Sequence, residues 1–214
     1  GTIDNAQVLS FTLSGASLFV GSGGALNAGR TAVETPAGAV GFSVSGASFS
    51  MATVTTQSAT FTGVQASLTN ASLSGVPSVD LQVSGSFKYN TSTGASGQRI
   101  DWDSATTVPS TSANLLPTLA IDKDDQLSAS GSASLNIGSG AVVAVVPVLT
   151  LNMATAHVVT GNTAITGLGT PAGTIDNAQV LSFTLSGASL FVGSGGALNA
   201  GRTAVETPAG AVGF

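Results

Sequence analysis

The chain has 214 residues, a formal net charge of −5, 43% hydrophobic and only 7% charged residues, and no cysteine. That length suffices for a buried core, the hydrophobicity excludes an intrinsically disordered chain, and five basic residues without a cluster leave no electrostatic footprint for nucleic acid. Without Cys there are no disulfides or thiolate metal sites, and the longest apolar run, Ala141 to Leu149, contains Pro147 and falls far short of the roughly 20 residues of a membrane-spanning helix.

The first element is also the last. Residues 1–42 return letter for letter as residues 173–214, a period of 172 residues. Residues 1–172 are therefore one full tandem-repeat unit, and 173–214 begin the next. The pattern runs on past Phe42 into Ser43 and Val44, so the natural polypeptide is expected to continue in both directions. Residues such as Asn27, Arg30, Thr31 and Glu34 have the character of exposed loop positions, which packing does not hold invariant. Their exact return points to recent duplication or copy homogenisation, with a duplication made by design as the other origin.

Within the unit, apolar residues alternate with polar ones at period two, and charged helix formers are scarce, so the chain is expected to be all-β. Phe11 to Leu18 (FTLSGASL) resembles Phe42 to Phe49 (FSVSGASF). In each, the apolar parity slips by one residue at Gly15 or Gly46, as a β-bulge or a corner between faces requires. Further strands are expected around 59–68 and 73–76. Val79 to Tyr89 alternates cleanly, and Leu127 to Ile137 sets apolar residues or Gly against Ser128, Ser130, Ser132, Ser134 and Asn136. Both predict one buried and one hydroxyl-rich face. Residues 142–157 form another expected strand, and Val142 to Val146, apolar on both parities, is expected to be buried on both faces.

Residues 90–126 break the pattern. They hold seven of the fifteen charged residues, the single Trp and two prolines. This stretch reads as a long excursion from the β body, packed down by Trp102 and Leu115-Leu116, and long loops of this kind often carry function.

Ser-Gly motifs at Gly15, Gly46, Gly85 and Gly131, then Gly187, are spaced by 31, 39, 46 and 56 residues. The unequal spacing predicts a β-solenoid-like stack of irregular rungs. Tandem β-sandwich domains are the alternative, favoured by the long alternating strands.

Catalytic chemistry finds little support. His157 is the lone histidine, in a strand context, with no Gly-x-Ser-x-Gly elbow, so a nucleophile–base pair has no candidate. Gly21 to Gly24 lacks the Lys and helix of a phosphate loop and reads as a tight turn. Calcium is the one cofactor with a case: Asp101, Asp103, Asp122, Asp124 and Asp125 cluster hard oxygen ligands in the excursion, although a solvated acidic loop has the same composition. Asn70 and Asn90 open glycosylation sequons. Thr-rich segments at 52–56 and 58–62 raise ice binding but form no regular ladder, and one Trp with one Tyr cannot furnish the aromatic girdles of an outer-membrane barrel.

At Phe42 to Phe49 and at Leu73 to Gly85 (LSGVPSVDLQVSG), the sequence resembles repeat units of giant secreted bacterial surface, adhesin-like proteins. The resemblance covers most of the unit in style, through short motifs, and the calcium-binding nonapeptides of many such proteins are missing. It implies an extracellular, cell-surface location and an extender or filament-forming role. The expected function is a structural, non-enzymatic repeat of an extracellular filament, sheath or adhesin stalk, with neighbouring copies as its partners. The alternatives are a surface-binding module using 90–126 toward a glycan or calcium and, further off, a β-helix enzyme acting on polysaccharide.

Overall fold

The computed structural model describes residues 1–107 and 113–214, and every described element is a strand. In chain order these are β1 (Gln7–Ser22), β2 (Ala25–Leu26), β3 (Val33–Glu34), β4 (Val40–Thr55), β5 (Thr60–Ser74), β6 (Val79–Thr93), β7 (Asp125–Ile137), β8 (Val142–Val159), β9 (Thr174–Ser186), β10 (Ser189–Ser194), β11 (Ala197–Leu198), β12 (Val205–Glu206) and β13 (Val212–Gly213).

The long strands form one antiparallel sheet in the order β1-β4-β5-β6-β7-β8, and β8 pairs in turn with both β9 and β10. Short turns join β5 to β6 at Gly75 and β7 to β8 at Gly138, whose φ values of +71° and +66° suit glycine, whereas β6 and β7 pair across the long excursion. The segments expected at 59–68 and 73–76 merge into the single strand β5. These hairpins build one large antiparallel sheet, and two small two-stranded sheets, β2-β3 and β11-β12, flank it, with β11 and β12 lying against β7 and β8.

The Ser-Gly motifs explain their own unequal spacing. Antiparallel reversal brings Gly15, Gly46, Gly85, Gly131 and Gly187 into one band across the middle of the sheet, separated along the chain by loops of different length. Gly15 and Gly46 both have φ of +64°, and the β1–β4 register shifts between Leu13 and Ala16 and again between Ala16 and Leu18. The expected parity slip is thus a paired bulge, one residue on each strand, after which the register is restored. β8 makes its own shift at Pro147-Val148, opposite the Gly131–Ala133 stretch of β7. Proline, lacking an N–H, is tolerated there because a bulge releases one ladder bond.

The register assigns two chemically distinct faces. One carries Leu9, Phe11, Leu13, Phe49, Met51, Val64, Phe87, Tyr89, Leu127, Leu151, Met153 and Phe183 on one side of the bulge band, and Leu18, Val20, Phe42, Val83, Leu135 and Leu190 on the other. The opposite face carries hydroxyls that bond across strands, including Ser48–Ser67 at 2.7 Å, Ser84–Ser132 at 2.8 Å and Ser86–Ser130 at 2.8 Å. Asp80, near the start of β6, and Lys88 within it share that hydroxyl face.

The compact core sits on the hydroxyl side at one end of the sheet. There the parity turns apolar, and Ala52 and Val54 pack with Trp102, Leu119 and Ile121 of the excursion, flanked by Ala6, Val8, Phe61, Ile100 and Leu116. Of the two leucines expected to pack the excursion down, Leu116 does so and Leu115 stays exposed. Val142 to Val146 corrects another expectation. Val143 and Val145 are buried, but Val142, Ala144 and Val146 on the opposite parity are only half-buried, because a single-layer sheet leaves that face uncovered.

Candidate assembly surface

The charged excursion is a lid on the sheet. Gly63 leaves room for the Trp102 ring, since a Cβ there would lie 2.7 Å from it. The indole N–H donates to Asn90 Oδ1 at 2.9 Å, and the Asn90 amide donates to the carbonyls of Ile100 at 2.9 Å and Asp122 at 3.0 Å. Asn90 is buried, so this residue, met in the sequence as a sequon, is the polar anchor of the lid. Buried amides of this kind are retained when every group finds a partner. Gln65 adds a second tie by accepting from the Ala120 N–H at 2.8 Å.

Three of the five candidate calcium ligands, Asp122, Asp124 and Asp125, serve the 122–125 turn locally. Asp122 accepts from the Asp124 N–H at 2.9 Å, Asp125 accepts from the Asp122 N–H at 3.2 Å, and Lys123 pairs with Asp124 and, more loosely, Asp122. The hydrogen bond and charge of Asp124, with smaller help from Asp122 and Asp101, hold the Lys123 ammonium above its ordinary pKa. Asp101 and Asp103 lie beside Trp102, and the Asp103 N–H donates to Ile121 O at 3.2 Å. Among the described residues no group of three or more acids, His or Cys is gathered as a metal would need. Residues 108–112 of the excursion lie outside the described residues.

His157 meets Asp176 through Nδ1 on an exposed surface, with no nucleophile in the pair. The groove along the bulge band is shallow and lined by Thr69, Ser84, Ser86, Ser130, Ser132 and Thr150. Four of those hydroxyls already bond to one another.

What remains is surface. Phe11 is 52% exposed and Leu18 55%, and their counterparts Phe183 and Leu190 in the second copy are 63% and 60% exposed. The apolar face is therefore open in both copies, whatever lies beside the strand. Exposed apolar residues in such number on one face are uncommon on a monomer's surface. The sheet also presents β1 as an edge strand paired only with β4, a template for further pairing. Sequence reading singled out the acids of the excursion and the hydroxyl-rich faces and did not single out the open apolar face. The signals for that face and for the β1 edge were the odd-even alternation on either side of the glycine bulges and the identity of the two ends. Compared with protein-family models, with curated proteins and with solved structures, the chain matches none of them.

Proposed function

We propose that the unit is a structural repeat of an extracellular filament, sheath or long stalk, acting through the assembly of many copies rather than through a site of its own. The observation that carries this reading is the two-faced single-layer sheet. Its hydroxyl face is covered at its two ends by the chain's own segments, the excursion and the arm between β10 and β13, whereas among the described residues its apolar face leaves Leu9, Phe11, Leu13, Leu18, Phe183 and Leu185 exposed. A sheet with one apolar face must bury it against another layer, and the same face on copies in a neighbouring chain would supply that layer. Two such faces would pack about 10 Å apart. In this version the long strands retain the sandwich alternative, now between copies, and the solenoid idea survives as copies joined in register.

The reading assigns the chain no catalysis. The 90–126 segment, the basis of the glycan- or calcium-binding alternative, packs its described core residues Trp102, Leu119 and Ile121 against the sheet beneath it, which supports a covering role.

Sedimentation of the full chain over a range of concentrations tests the assembly. Self-association is expected, and replacing Leu9, Phe11 and Phe183 by Ser on the open face is expected to abolish it without unfolding the sheet. A chain that stays monomeric throughout, or associates equally well with the three serines, overturns the lateral packing. Location is tested separately with antibodies against the chain, which should label intact cells that produce it; labelling only after lysis contradicts an extracellular role.

A further inference from the structure

We propose that the open edge of β1 seats strand β8 of another copy of this unit, the one preceding it along a chain of repeats. One antiparallel sheet then runs unbroken across each repeat boundary. This deepens the assembly reading by naming a partner, and it rests on that reading only for the existence of further copies.

The partner is visible because the same residues occur twice. β9 and β10 are the second copy of β1, and both pair with β8: Leu181 lies opposite Met153, Phe183 opposite Leu151, Leu185 opposite Leu149 and Leu190 opposite Ala144. Subtracting the 172-residue period places Leu9, Phe11, Leu13 and Leu18 against those same β8 positions of a preceding copy. The two neighbours of the strand do not compete. β10 pairs with β8 on one side while its Gly193 and Ser194 pair with Gly213 and Val212 of β13 on the other. Gly213 and Val212 repeat Gly41 and Val40, which pair with Gly21 and Ser22 in the first copy.

Four features of the first copy acquire a use only when β8 is beside them. At Gly15 an added Cβ would meet nothing within 4 Å, whereas at Gly187 it would lie 2.9 Å from Pro147. Phe19 is half-buried, whereas Phe191 is 4% exposed. Arg30 is exposed, whereas Arg202 donates to Ser134 Oγ at 3.1 Å and places Nη2 2.7 Å from Asp80 Oδ1. Asp4 is exposed, whereas Asp176 meets His157. The arm between β10 and β13 thus reaches back over β8 and β7 to β6 of the previous copy and latches the joint on the hydroxyl face.

The test lengthens the chain by one 172-residue unit placed before Gly1. The protein has no cysteine, so Asn152→Cys in the added unit with Ser10→Cys in the original chain makes a clean pair for a short thiol–thiol crosslinker. The control is Asn152→Cys with Ser182→Cys in the 214-residue chain, where these positions face each other. Equal intramolecular crosslinking of the two pairs in dilute monomer is the expected result. Trypsin cleavage after Arg30 should also slow in the lengthened chain to the rate seen after Arg202. A control pair that links while the junction pair does not, or cleavage after Arg30 that is unchanged by the added unit, overturns the proposal. Because both readouts are taken on monomer, failure of lateral association leaves them intact.

Discussion

Residues 1–42 and 173–214 are one sequence in two surroundings, and they do not fold alike. In the second copy the strand starts at Thr174, but in the first the equivalent Thr2 lies outside any strand and β1 starts at Gln7. The five extra residues are ordered by β8, which extends to Val159, and by the preceding loop: the Thr160 N–H donates to Gly173 O at 2.8 Å and the Asp176 N–H to Leu168 O at 2.9 Å. The far end differs as well, since the N–H groups of Gly193 and Gly196 donate to Ala141 O and Gly140 O of the β7–β8 turn. Local propensity is identical because the sequences are identical, so the differences between the copies measure what their surroundings contribute: β8 beside the second copy, and β4 and the lid beside the first. Strand preference of this kind reflects packing against neighbours more than backbone preference.

The largest expected effect comes from the lid, which serves only the first copy. Trp102→Ala empties the cluster that includes Ala6 and Val8 and should destabilise the chain by about 3–5 kcal/mol. Chemical denaturation gives the magnitude, and hydrogen exchange should show β1 loosened while β9 is unaffected. Next come the twin phenylalanines. Phe191→Ala should cost about 3–5 kcal/mol in thermal unfolding, and Phe19→Ala about 1–2 kcal/mol because less surface is lost from burial; equal costs would erase the distinction between the copies. The twin glycines are finer. Gly15→Ala strains a left-handed residue by about 1–2 kcal/mol, and Gly187→Ala should add about 1–3 kcal/mol more through crowding against Pro147. The smallest effect belongs to the latch. Asp80→Asn should cost no more than about 1 kcal/mol, since both partners are partly solvated. It should nonetheless raise trypsin cleavage after Arg202 toward the rate after Arg30, which itself should not change.

Much of the fold was legible in the sequence. Period-two alternation located the long strands, and the parity slips at Gly15 and Gly46 located bulges, because a bulge flips every later side chain to the other face. Alternation says which residues share a face but not what covers it, so a solenoid, a sandwich and a single-layer meander all satisfied the same pattern. The unequal Ser-Gly spacing favoured rungs only while chain direction was unknown; in an antiparallel meander the same motifs fall into one band. The lid was legible as an excursion, yet its site was not. Clustered aspartates drew attention to metal chemistry, whereas the telling residues were Val8, Ala52, Val54 and Gly63, apolar or small where the same parity elsewhere carries hydroxyls. Asn90 was hidden by a sequon, a motif that reads three letters and ignores burial.

The central claim is that one sheet continues from copy to copy. From β1 to β9 the sheet advances by six strand spacings, about 29 Å at the usual interstrand distance. Small-angle scattering or electron microscopy of chains with two, three and four consecutive units measures that advance directly. The account predicts that each added 172 residues lengthen the particle by about 29 Å along the direction of strand pairing, with an unchanged cross-section. Separate globular beads joined by linkers, each adding its own full diameter, would contradict it.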